Sequence, residues 1–184
     1  MARRFSFYPD EFQVSSIEEF RRQWSNVPDE QARNVIAVEA QYLEFHQYVV
    51  ASVRHEPVEG GERIPIGLSV RAGAIKTAIL ICASIAEAVL RAHAEARGYA
   101  LPRNSRARTF GRVLGAWQER DGTPHPDVAP IWEELQRLHE GRNNVHLYRA
   151  VDEGDNFYDI LDAEGQSLRE AEAVLRTLQG LVST

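Results

Sequence analysis

The chain has 184 residues, 43% of them hydrophobic and 26% charged, a balance that excludes a disordered, collagen-like or bilayer-embedded polymer and fits one folded domain. Such a domain buries roughly 70% of the surface its unfolded chain exposes and needs no metal or disulfide to fold. The formal net charge of −6 excludes a protein that coats nucleic acid indiscriminately, because phosphate contacts need concentrated Lys and Arg.

Hydrophobic periodicity is helical nearly throughout, so the expected class is all-α. The amino-terminal segment reaches Asp10 and Glu11 before any apolar run of signal-peptide length, so no export is expected. Ser16 and Glu19 form a capping-box pattern ahead of Ile17, Phe20 and Trp24, a short helix ending before Pro28. Residues 28–55 then place Val35, Val38, Tyr42, Phe45, Val49 and Val53 at steps of three and four, which predicts a long helix buried on that face. Pro57, Gly60, Gly61, Pro65 and Gly67 break it, and residues 64–70 read equally as strand or loop. A second long helix over residues 72–97 carries Ile75, Ile79, Cys82, Ala86, Val89 and Leu90 and stops at Gly98. Its apolar core, residues 77–86, is far shorter than the roughly 20 residues that cross a bilayer, so no membrane partner is expected. Cys82 is the single cysteine, which excludes an intramolecular disulfide and suits a reducing, cytoplasmic compartment.

Phe110, Val113, Leu114 and Trp117 predict a short helix closed by Asp121, Gly122, Thr123 and Pro124. The next helix starts near Asp127, takes Pro130 in its first turn and runs through Ile131, Leu135, Leu138 and Val145 to about Tyr148. Residues 157–161 suit a short strand, and Ser167 with Glu170 caps a last helix with Leu168, Ala171, Leu175, Leu178 and Val182 on its inner face. The helices beginning at Ala72 and Asp127 are expected to pack as the central antiparallel pair. The whole is read as one helical domain, residues 1–184, with residues 1–60 as an amino-terminal helical extension and residues 72–184 as the bundle.

Two features carry chemistry. Between Arg91 and Arg112 six arginines meet one acid, Glu95, so the segment is +5 and the remainder −11; Arg103, Arg106, Arg108 and Arg112 are its candidate RNA-binding patch. Guanidinium groups grip phosphate through two parallel hydrogen bonds. The second feature is Arg142, which falls on the apolar stripe of Ile131, Leu135, Leu138 and Val145, with His146 one turn further and His139 on its flank. A cation placed there needs a partner, and Glu87, which interrupts the apolar helix before it, is the carboxylate expected to supply it.

At these residues the chain resembles a known family. The string LHEGRNNVHLYRAVD, residues 138–152, is similar to the signature of the HEPN superfamily, small helical bundles in which an arginine, often followed by Asn or Asp, precedes a histidine on one helix. The order of helices from SIAEAVLRAHAEARG onward, through FGRVL to the motif helix and a last helix, resembles it too. The resemblance covers about the last two-thirds of the chain and implies an HEPN-like bundle with extra amino-terminal helices. It further implies a metal-independent endoribonuclease of the toxin or antiviral-defence type, acting as a homodimer on RNA without a cofactor or metal. Arg142 matches the motif arginine, Asn143 the polar residue after it and His146 the histidine. Tyr148 matches the tyrosine that takes an inhibitory nucleotide in members paired with a nucleotidyltransferase antitoxin. Only Asn143, Asn144 and Val145 separate Arg142 from His146, a shorter spacing than the family's usual one.

The residue types suit the reaction. Cleaving RNA without metal needs a base for the 2′-hydroxyl, an acid for the leaving oxygen and a cation for the charged phosphorane. An imidazole exchanges protons near neutrality and a guanidinium stays charged. One motif histidine per chain supplies only one of the two proton-transfer groups, so two chains are expected to meet. The alternative from a different class is a non-catalytic HEPN-like module that dimerises or binds a ligand or partner. His46, His55, His93 and His125 show no metal-ligand spacing, and Trp24, Trp117 and Trp132 lie on or beside apolar stripes, as core residues do.

Overall fold

The computed structural model describes residues 5–7, 13–55, 64–65, 68–143 and 157–182, with side chains over 13–49, 73–143 and 166–182. Ser16 opens α1 (Ile17–Gln23) with the expected reciprocal box: its hydroxyl accepts from the Glu19 N–H at 3.2 Å and its own N–H donates to the Glu19 carboxylate at 2.6 Å. Phe20 and Trp24 turn inward, and the chain bends at Val27 and Pro28 into α2 (Glu30–Ser52). Asp29 caps that helix, accepting from the Ala32 N–H at 2.6 Å.

The buried face of α2 is Ile36, Ala37, Ala40 and Leu43, and it packs on α1 and α3. The stripe expected to be buried lies on the opposite side, with Val35, Val38, Tyr42 and Phe45 between 43% and 56% exposed. Both faces are apolar at helical spacing; the inner one has smaller side chains, which let α2 approach its neighbours closely. The helix also ends earlier than expected. Val53–His55 leave it as β2, which pairs antiparallel with β1 (Phe5–Phe7) and β3 (Ile64–Pro65), Phe5 opposite His55 and Arg54 opposite Pro65. This small sheet does not form the centre of the fold; of residues 64–70, read as strand or loop, Ile64–Pro65 are strand and Leu68–Val70 are already helix, which neither alternative included.

The centre is α3 (Leu68–Ala96), which starts four residues before the expected Ala72 and packs against α2, α4, α5 and α6. Cys82, Ala83, Ile85, Ala86, Val89 and Leu90 are all buried. Residues Gly73–Ala96 are long and apolar enough by composition to cross a membrane; in this fold the same apolarity serves a helix surrounded by other helices. It ends as expected. Gly98 takes φ +70°, and the Tyr99 N–H returns to the Ala94 carbonyl at 2.9 Å.

After Ser105–Ala107, a turn of 3₁₀ helix, α4 (Phe110–Ala116) buries Phe110, Val113 and Leu114. The Trp117 indole N–H donates to the Leu90 carbonyl at 3.0 Å and ties α4 to α3. A tight reversal around Gly122 leads to a 3₁₀ turn, Ala129–Ile131, with Pro130 at its start, and then to α5 (Trp132–Asn143), which buries Leu135 and Leu138. The last helix, α6 (Phe157–Leu178), corrects two expectations: residues 157–161 are helix and not strand, and Ser167 lies within the helix and does not cap it. The helix carries Ala171, Val174, Leu175 and Leu178 on its buried face.

The fold is therefore mostly helical, but its central pairing differs from the expected one. The helices α3 and α5 are in contact, yet α3 packs more extensively on α6 and α2. The described part of α5 offers two buried leucines to the core, whereas α6 offers four buried residues. Residues of α1 and α2 belong to the same buried cluster as α3 to α6, so the boundary near residue 60 marks where the resemblance ends and not where packing ends.

Candidate functional site

The motif helix α5 presents Arg142 to Glu87 of α3, and the Arg142 Nη1 donates to the Glu87 Oε2. This is the pairing expected from the interruption of the α3 stripe by a carboxylate. The arginine is not buried, however: its side chain is 36% exposed against 17% for Glu87. Glu87 thus fixes one end of the guanidinium while Arg142 keeps part of its surface open to solvent. Asn143 lies beside it on the exposed end of the helix, its Nδ2 3.2 Å from the His139 Nε2. His139 is half-buried edge-on against Phe110, ring centroids 5.5 Å apart, and rests on Gly111 of α4, where a side chain would reach within 3.0 Å of the imidazole. His146 and Tyr148 lie outside the described residues.

The arginine-rich segment divides in two. Arg103, Arg106 and Arg112 are exposed. Arg108 is folded down, its Nε donating to the Pro102 carbonyl at 2.7 Å and its Nη1 to Glu95 at 2.5 Å, and Arg91 shares the same carboxylate at 2.9 Å. Arg112 follows Gly111, the residue under His139, on α4.

Arg97 belongs to a constellation that the sequence pattern does not reveal. Its guanidinium lies over Trp117 at 5.0 Å and Tyr99 at 6.0 Å, donates to Asp127 at 2.6 Å and to the Val182 carbonyl at 2.7 Å, and is nearly enclosed. Burial opposes its charge, but the bonds to Tyr99 and Asp127 outweigh it and hold the pKa above the usual value. His125 completes the cluster, 5.7 Å from both aromatic rings. Arg97 joins the end of α3, the loop before α5 and the carboxyl-terminal segment, which is a structural use of a charge counted in the basic patch. Its only signals in sequence are Tyr99 two residues on and Asp127 thirty residues on.

His93, one turn before Arg97, is fully buried, and among the described residues neither ring nitrogen has a hydrogen-bond partner. Burial first, and the nearby Arg97 charge second, lower its pKa to about 4, against a smaller opposing pull from Asp127. Cys82 is likewise buried, and burial pushes its thiol up to about 12, which makes it a packing residue and not a nucleophile. Among the described residues no three His, Cys, Asp or Glu side chains gather as metal ligands.

A groove of about 440 Å³ runs between α2 and α3. Ala32, Ala88 and Ala92 are among its lining residues, together with Val35, and Glu87 lines it beside them. The Glu87 carboxylate therefore touches both the groove and Arg142. No protein-family model, curated protein or solved structure matches the chain.

Proposed function

We propose that the chain is an HEPN-like, metal-independent endoribonuclease of the toxin or antiviral-defence type that works as a homodimer. The observation that carries the reading is the state of Arg142: one nitrogen is held by Glu87 while the side chain stays 36% exposed, as a phosphate-gripping arginine must be. The exposed Arg103, Arg106 and Arg112 offer contacts to an RNA backbone. In this reading Arg142 stabilises the charged phosphorane. His146 of one chain takes the 2′-hydroxyl proton and His146 of the other protonates the leaving oxygen.

The test compares wild type with His146→Ala in chelator on total RNA. Wild type is expected to cleave, and the variant to lose about 10²–10⁴ in rate while remaining folded. Equal cleavage by both, or by neither, removes the catalytic assignment. The second reading, a non-catalytic module that dimerises or binds a ligand, draws on the same ion pair, since Glu87 neutralises the charge that catalysis would use. If the chain is a toxin of the nucleotidyltransferase-paired kind, co-expression with that enzyme should add a nucleotide mass to the peptide containing Tyr148, and an unmodified tyrosine in a neutralised complex dismisses that branch.

A further inference from the structure

The end of α5 is held from two sides. On the side of α3, Glu87 takes one nitrogen of Arg142. On the side of α4, His139 takes one N–H of Asn143, whose Nδ2 donates to the imidazole Nε2 at 3.2 Å. Residues four apart on a helix are surface neighbours, so His139 and Asn143 share a face, and Arg142 lies three residues from the one and next to the other. An amide nitrogen carries only donors, so the Nε2 that accepts from it is unprotonated and the imidazole proton sits on Nδ1.

The imidazole is closely confined. Phe110 meets it edge to face, with ring centroids 5.5 Å apart and planes at 89°. Gly111 leaves room for the ring only because it lacks a side chain: a Cβ there would lie 3.0 Å from Nε2 and 3.2 Å from Cε1. A methyl group would press on the accepting atom itself. Gly111 is not among the glycines with positive φ, so its own backbone does not require glycine, and glycine inside a helix weakens it relative to alanine. The neighbouring imidazole supplies the reason. Gly115, four residues on in the same helix, has open space where its Cβ would stand.

We infer that His139 is a positioning residue of the proposed ribonuclease: it fixes the Asn143 amide so that the second N–H of that amide donates to a phosphate oxygen of the RNA gripped by Arg142. Asn143 is exposed, and an exposed amide turns about its last bond. Committing one N–H to a confined acceptor sets the directions of the other N–H and of the carbonyl. His139 and Gly111 do not touch RNA in this arrangement; both act through Asn143. The competing role for His139 is to fill space against Phe110, and two substitutions separate the roles. Leucine keeps an apolar contact and loses the acceptor, whereas glutamine loses the aromatic contact and keeps an acceptor in its carbonyl oxygen.

The inference rests on the ribonuclease reading and adds a residue to it, so its test measures kcat and KM on RNA in chelator. His139→Leu and Asn143→Ala should each lower kcat roughly 10–100-fold while KM changes less than about threefold, because a misplaced group costs most in the transition state. His139→Gln should recover most of that loss. Gly111→Ala should reproduce the leucine variant on its own and add nothing to His139→Leu, since no imidazole is then left to displace. Gly115→Ala, the same change on the same helix, should cleave as wild type does. Nitrogen-15 NMR of the wild type at about pH 8 should show His139 as the Nδ1–H tautomer. An Nε2–H tautomer overturns the inference whatever the activity. A leucine variant as active as wild type, or no worse than the glutamine variant, overturns it too, and the cleavage reading then survives. RNA left intact by the wild type removes both.

Discussion

Arg142 shows how burial sets the worth of an ion pair. A fully buried pair costs about 3–5 kcal/mol to break and an exposed one about 0–1 kcal/mol. With 36% exposure on the arginine and 17% on the glutamate, Arg142→Ala should cost about 1–2 kcal/mol, less than its place on an apolar stripe implies. Chemical denaturation of R142A, E87Q and the double variant checks this: the double variant should be less destabilised than the two losses added together. His93 is the sharper case. Its pKa is about 4 in the fold and about 6.5 when unfolded, so between these values the unfolded chain binds more protons. Stability is therefore full above pH 6.5, falls as pH drops through this window, and has lost up to about 3 kcal/mol below pH 4. His93→Leu should flatten that acid limb in thermal melts across pH 4–7. It should also raise the melting temperature at pH 7, because it removes a buried ring whose nitrogens are unpaired.

At the scale of elements, three helix ends follow local chemistry, whereas the ends of α2 and α6 and the faces of α2 do not. The Ser16–Glu19 box, the Gly98 cap and Pro130 at the entry to α5 are each set by groups within a few residues, and each is found where the sequence indicates. Gly98→Ala should cost about 1 kcal/mol, because an alanine at φ +70° crowds its own backbone, and a lowered melting temperature with unchanged helical circular dichroism would show it. The faces of α2 are another matter. The periodicity of Val35, Val38, Tyr42 and Phe45 is a true apolar stripe, but Ile36, Ala40 and Leu43 form a second one, and the neighbours choose between them. Close packing on α1 and α3 favours the row with alanines, which leaves the larger side chains outside. Residues 157–161 show the same ambiguity: a short apolar run is compatible with strand or helix, and here its backbone is the first turn of α6.

Across the whole molecule, α3 owes its central place to being apolar on nearly every side, so α2, α4, α5 and α6 can each bury a face on it. The same arrangement brings Glu87 under Arg142 and leaves the groove beside Glu87 open toward the outer row of α2. Helical content, the caps at Ser16 and Gly98, and the carboxylate partner of Arg142 were legible in the chain, because each depends on residue type and spacing along one or two elements; the cap read at Ser167 was not, because that serine lies inside α6. Tertiary structure alone decided which face of α2 points inward, which helices flank α3, how far Arg142 is exposed, and that Arg97 and Arg108 serve the fold while Arg103, Arg106 and Arg112 stay outside. The physical reason is that periodicity records that a side chain prefers to leave water or to find a counter-charge, and only the packed neighbours, distant in sequence, determine which competing surface or charge satisfies it.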